Sequence, residues 1–153
     1  MNRLTKAQVR LDTARSLPEV LSASCQAFDQ MLATIREHEA RAEGLFAAFV
    51  LAAAYAADGR DALLAAPSLP WPPPAAPPRS ALAVDDMAAL ASDPVIVADI
   101  DDLADTLGDL SKLTAAVLAS AASHALDPSD QAACTQAAQS ADAMWSLLAR
   151  PGP

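Results

Sequence analysis

Apolar residues recur at helical spacing over most of this chain. A seam runs from Leu21 through Cys25, Phe28, Leu32 and Ile35 in steps of four and three, the spacing at which one side of a helix meets a neighbour. It continues through Glu39, Ala42, Phe46, Phe49, Ala53 and Ala56, which predicts a long element starting near Pro18, a residue suited to a first helical turn. Glu39 is the one polar residue on the seam and Gly44 follows it, so a kink or break is expected between residues 38 and 45. Asp58-Gly59 reads as the end of the element, with glycine as a left-handed cap.

The second half repeats this logic. Asp93-Pro94 is a start signal, an N-cap followed by proline, and Ile96, Ile100, Leu103, Leu107, Leu110, Thr114, Val117 and Ala121 trace the seam behind it. Asp127-Pro128 repeats the signal for a last helix through Cys134, Ala138, Ala141, Trp145 and Leu148, stopped by Pro151-Gly152-Pro153. Residues 3–15 form a shorter helix, and Ser80 or Asp85 caps another that reaches Ala91. The expected fold is all-α, a helical bundle of three long amphipathic helices plus short helices.

Between the halves lies PSLPWPPPAAPPR, residues 67–79, with seven prolines in twelve positions. Such a run excludes helix and sheet and favours stiff polyproline II geometry. It reads as a Pro-rich crossover loop joining N-terminal helices (residues 1–66) to C-terminal helices (80–150), with Trp71 pinned to the core. Neither half is large enough to be stable alone, so residues 1–153 are expected to form a single helical domain. Pro74 to Arg79 also fits the PxxPxR shape read by SH3-like grooves, though a spacer accounts for it.

Composition sharpens the picture. Thirty-nine of 153 residues are alanine and six are aromatic, so the few large side chains have to sit at the key contacts. A net charge of −9 argues against nucleic-acid binding through phosphate neutralisation. The charge is uneven, because Arg3, Lys6, Arg10 and Arg15 make the N-terminus basic, while residues 85–109 hold eight aspartates and no base. Two cysteines, Cys25 and Cys134, read as reduced core thiols, and a cytoplasmic location is expected. The first twenty residues lack the apolar run of a signal peptide. Residues 45–57 are continuously apolar but fall short of the roughly 20 residues that span a bilayer. A helix apolar on all sides belongs in a core or at a subunit interface.

Candidate chemistry centres on DIDDLADTLGD, residues 99–109. Asp101-Asp102-Leu103-Ala104-Asp105 resembles the first DDxxD motif of prenyl-diphosphate and terpene synthases, which implies Mg²⁺ and a diphosphate. The second metal motif of that family is missing, and the chain is about half the length such a fold needs. Asp102 and Asp105, three apart, also resemble the second half of the metal motif of all-α nucleotide pyrophosphohydrolases of the MazG type. The first half, ExxE, is absent, since Glu39 and Glu43 are four apart. That resemblance implies an enzyme holding Mg²⁺ on Glu39, Glu43, Asp102 and Asp105, and no cofactor is expected otherwise. At about 100° per residue, Asp102, Asp105 and Asp109 share a face turned away from the Leu103–Leu107–Leu110 seam. Metal carboxylates in bundles project inward, so a solvated acidic face is the stronger reading.

A buried Glu39 requires a base or a break that returns it to water. His38 and His124 have no metal-ligand spacing, and no serine sits in a nucleophile-elbow motif. The expected function is therefore non-enzymatic, a bundle acting through protein contacts with a partner or with itself as a homodimer, without nucleic acid or membrane. The partner would meet the acidic face of Asp101, Asp102, Asp105 and Asp109 or the basic stripe of Arg3, Lys6 and Arg10. The alternatives are the Mg²⁺-dependent hydrolase and a small-molecule-binding bundle with an apolar pocket near Phe46, Phe49 and Trp145.

Overall fold

A computed structural model describes residues 2–70 and 99–149, and of Glu43 the backbone alone. Five α-helices account for most of these residues: α1 (Arg3–Thr13), α2 (Leu17–His38), α3 (Phe46–Leu64), α4 (Ile100–His124) and α5 (Pro128–Leu148). Two single 3₁₀ turns, Glu39–Arg41 and Glu43–Leu45, separate α2 from α3. No strand occurs among the described residues.

Side-chain caps start four of the helices. Asn2, Ser16, Asp99 and Asp127 each accept a hydrogen bond from a backbone N–H of the first turn behind them, which satisfies donors that a helix leaves unpaired. At α2, Glu19 also reaches back to the Arg15 N–H at 2.8 Å. Asp127-Pro128 starts α5 as its sequence implies. Asp99 is extended, at φ −132° and ψ 124°, and caps α4, which begins at Ile100. The Asp93-Pro94 signal, Ile96, the short helix to Ala91, Trp71, most of the proline-rich run and the Pro151–Pro153 stop lie outside the described residues.

Helices α2, α3, α5 and α4 follow one another around one core, and α1 lies against α2 and α4. Neighbours run antiparallel. Phe28 meets Gly59 across α2 and α3, Ser111 donates to the Met31 sulfur across α4 and α2, and Lys112 covers the Trp145 ring across α4 and α5. Beyond the end of α3, Ser68 binds Asp130 in the first turn of α5 through its backbone N–H at 3.0 Å and its hydroxyl at 2.5 Å. Helices α3 and α4 therefore stand at opposite corners, with the end of α3 and the start of α4 at opposite ends of the bundle.

The core alternates large and small residues. Phe28, Met31, Ile35, Phe49, Leu103, Leu107, Leu118 and Met144 interleave with Ala27, Ala52, Ala56, Ala104, Ala137 and Ala141. Three buried hydroxyls bond within their own helices, Thr34 to the Gln30 carbonyl, Ser111 to Leu107 and Thr114 to Leu110, at 2.7–2.8 Å. Thr34 and Thr114 are satisfied within their own helices, while Ser111 also lies against the Met31 sulfur of α2.

The expected break at residues 38–45 is present as the two 3₁₀ turns. They reset the helical phase, so the inward residues of α3 are Phe49, Ala52, Ala56, Gly59 and Leu63, while Phe46 and Ala53 leave the seam. Gly59 also corrects the expected end of this element. It is no cap, because α3 continues through it to Leu64. A Cβ at residue 59 would stand 2.5 Å from the Phe28 ring, so glycine serves here for close approach.

Gly59→Ala tests this packing. Alanine raises intrinsic helix propensity by about 1 kcal/mol, but displacing a fully buried ring costs about 1–3 kcal/mol. We expect net destabilisation in urea unfolding, relieved when Phe28 is shortened to Leu in the same chain. A stabilised Gly59→Ala protein would show that the ring has room to move.

Candidate functional site

The acidic residues of α4 take the positions that their helical phase implies. Asp102, Asp105 and Asp109 are exposed and Asp101 is half-buried, on the side away from Leu103 and Leu107. Glu39 sits half-buried in the first 3₁₀ turn, so the helix break releases it from the core. Among the described residues, no group of three or more His, Cys, Asp or Glu is placed to hold a metal ion.

The basic stripe of α1 is divided. Arg3 is only 7% exposed and turns inward to pair with Glu37 at 2.7 Å, which ties α1 to the last turn of α2. Lys6 and Arg10 are exposed, and Arg10 donates to Gln26. Arg3 is thus spent within the fold, unlike an outward-facing contact residue.

Phe46, Phe49 and Trp145 do not share a pocket. Phe49 is fully buried, whereas Phe46 is 52% exposed on the outside of α3. Trp145 is half-buried at the α4–α5 boundary, with the Lys112 ammonium 5.2 Å from its ring centroid. It borders a shallow groove of about 530 Å³ floored by alanines of both helices. In α5, Cys134, Ala141 and Leu148 are buried as their spacing implies, while Ala137 and Met144 are buried in place of Ala138 and Trp145.

The most unusual surface is the outer side of α3. Phe46, Val50, Leu51 and Tyr55 are 52%, 42%, 50% and 36% exposed, and Ala47 and Ala54 lie exposed among them. At 100° per residue these six residues centre opposite the buried stripe of Phe49, Ala52 and Ala56. The same face carries no charge until Asp58 and Asp61, both exposed. The sequence signal was the apolar run at residues 45–57. Its phase was hidden by the 3₁₀ turns, so the division into an inner and an outer apolar face was not readable. No helix among the described residues is long and apolar enough to cross a membrane.

Where α2 meets α3, a second feature escaped the sequence. Arg60 Nε lies 2.5 Å from Asp29 Oδ1, but the approach is not aligned as a hydrogen bond, and buried Asp29 Oδ2 has no partner. Burial pushes the Asp29 carboxyl up to about 6, against the opposing pull of Arg60 and with a smaller push from Asp61. One turn earlier, burial raises the Cys25 thiol to about 11, assisted by Asp29. Burial likewise raises Cys134. Both cysteines are free and buried, which makes them poor nucleophiles.

No protein-family model, curated protein or solved structure matches this chain.

The raised carboxyl gives a signed pH prediction. A group whose folded pKa exceeds its unfolded value contributes stability below the unfolded pKa, here 3.8, and that contribution is lost as pH rises through about 6. Asp29→Asn should remove this component, so the variant gains on the wild type in melting temperature between pH 4 and pH 7. An unchanged difference across that window would mean that Asp29 titrates normally.

Proposed function

We propose that this chain is a non-enzymatic helical bundle that acts through protein contacts, with the outer face of α3 as its contact surface. The observation that carries this reading is the uncovered apolar face of Phe46, Val50, Leu51 and Tyr55 on a helix whose other side already fills the core. Contiguous exposed apolar surface of this kind marks interaction sites. Apolar side chains at its centre, with charge confined to its two ends, match the make-up of an interface core and its rim. The acidic residues of α4 stand at the opposite corner of the bundle, so they serve solubility and exclusion of anionic partners. Asp102 and Asp105 point away from the core, which supports a solvated face over a hydrolase metal site.

The two faces of α3 should separate cleanly in dilute solution. Leu51→Glu on the outer face should shift unfolding free energy by no more than about 0.5 kcal/mol, as for other surface changes. Phe49→Ala on the inner face should cost about 3–5 kcal/mol. The Leu51→Glu protein should also stay in solution at ammonium sulfate concentrations that precipitate the wild type. Large destabilisation by Leu51→Glu would show the outer face to be part of the core. A melting-point rise requiring Mg²⁺ and a nucleotide together would instead favour an enzyme.

A further inference from the structure

The geometry points to the chemistry of the partner: a basic amphipathic helix of another polypeptide. Its apolar side would lie on the outer face of α3, and its Lys or Arg side chains would reach Asp58 and Asp61. This rests on the reading of that face as a contact surface and names what meets it.

The relief of the face suits a helix. At about 100° per residue, Ala47 and Ala54 lie within about 20° of the line opposite the buried stripe, with Val50 and Leu51 on either side between them. Both flanking residues are exposed. The centre of the face is therefore two small steps among larger side chains, the relief into which a second helix sets its own large residues. Backbone groups inside α3 are already paired along the helix, so an added strand finds no free edge there.

Charge selects the rest of the partner. One to two turns beyond Ala54 the same face carries Asp58 and Asp61, exposed and in no ion pair among the described residues. Arg60, the one base of α3, is turned to Asp29, and α5 on the flank contains no base. Between α3 and α5 at this end lies a recess of about 650 Å³, where Tyr55, Gln136, Gln139 and Ser140 stand with the two aspartates. Each of these groups accepts hydrogen bonds, and a tyrosine ring also receives a cation on its face. A guanidinium or ammonium group suits such surroundings and a carboxylate does not. The turns before α3 carry Glu39, Arg41 and Glu43, so the other end of the face is acidic on balance too.

Other occupants meet the wrong charge. A second copy in parallel register sets Asp58 and Asp61 on their counterparts. In antiparallel register it sets them on turns that are themselves acidic on balance. Nucleic acid and anionic lipid are repelled by a chain of net charge −9. A basic helix is drawn in by that same charge, and the acids at the ends of the face fix its register, since rim charges govern encounter and orientation more than affinity.

Fluorescence anisotropy of the full chain with labelled synthetic peptides tests this. The probe is a helix of about five turns, with leucines at three-four spacing on one side and arginines in both end turns, so that it serves in either direction. Two companions carry glutamine or glutamate in place of arginine. The arginine peptide should bind, the glutamine peptide more weakly and the glutamate peptide not at all. Asp58→Asn with Asp61→Asn should weaken the arginine peptide about fivefold, the effect of two exposed charge pairs. Asp102→Asn with Asp109→Asn removes the same charge from the opposite corner of the bundle and should leave binding unchanged. Leu51→Ser should abolish binding with its helical circular dichroism intact; if that is lost, Val50→Ser takes its place. Equal loss from the two aspartate pairs overturns the proposal, because attraction would then belong to the acidic chain as a whole. A glutamine peptide that binds as well as the arginine peptide also overturns it, while the face remains a contact surface. If no peptide binds and the wild type sediments as a dimer that Leu51→Ser dissociates, the face belongs to a second copy and only the basic partner is ruled out. If no peptide binds and the wild type is monomeric, the contact-surface reading falls with it.

Discussion

The Phe28 ring occupies the place where a Cβ on residue 59 would stand, so α2 and α3 approach to a distance that glycine permits and alanine resists. That approach fixes the rotation of α3. With Gly59 turned to Phe28, the residues at helical spacing from it, Phe49, Ala52, Ala56 and Leu63, are carried inward. Val50, Leu51 and Tyr55 are carried outward by the same rotation. A helix this apolar has no polar side to present to water, so fixing its inner face creates an exposed apolar outer one. The exposed apolar face follows from a packing constraint about 12 Å along the helix from its centre.

Alanine-rich composition makes the constraint general. Small residues let helices come close, but each contributes little area, and stability falls to a few large side chains. Phe28, Met31, Ile35, Phe49 and Met144 fill this role, all fully buried. Polar groups are kept from competing with them. The hydroxyls of Thr34, Ser111 and Thr114 bond to their own helices, Arg3 is neutralised by Glu37, and Asp130 holds Ser68 at the base of α5. Two groups are exceptions: the buried Ser24 hydroxyl has no hydrogen-bond partner, and the Asp29 carboxylate has one oxygen near Arg60 and the other unpaired. Its shift in pKa is the cost of close approach between α2 and α3 appearing as chemistry.

Much of the architecture was legible from local rules. The all-α class, the helix at the N-terminus, the break after residue 38 and the Asp127-Pro128 start follow from periodicity and capping, which depend on neighbours a few residues away. Gly59 was misread because glycine after aspartate looks the same whether it caps a helix or admits a ring from another helix. Only the partner, Phe28, distinguishes these cases, and it lies on a different element. The phase of α3 was lost for a related reason. A seam can be counted along a continuous helix but not across two 3₁₀ turns of unknown rotation, and Phe46, in the first turn of α3 and about 60° from Phe49, is exposed where Phe49 is buried. Trp145 and Ala138 slipped by one residue to the α4 side because α5 has a weak apolar bias. The outward turn of Asp102, Asp105 and Asp109 was readable, since their seam on α4 is strong and unbroken.

A single scan tests whether α3 is truly two-faced. Cysteine would be placed in turn at residues 46–56 and its reaction with a thiol reagent timed in folded protein. Cys25 and Cys134 are too buried to interfere. At high dilution, residues 46, 47, 50, 51, 54 and 55 should react fast, and 49, 52 and 56 slowly. Uniformly slow reaction at every dilution would contradict the account, because it would place all of α3 inside the fold.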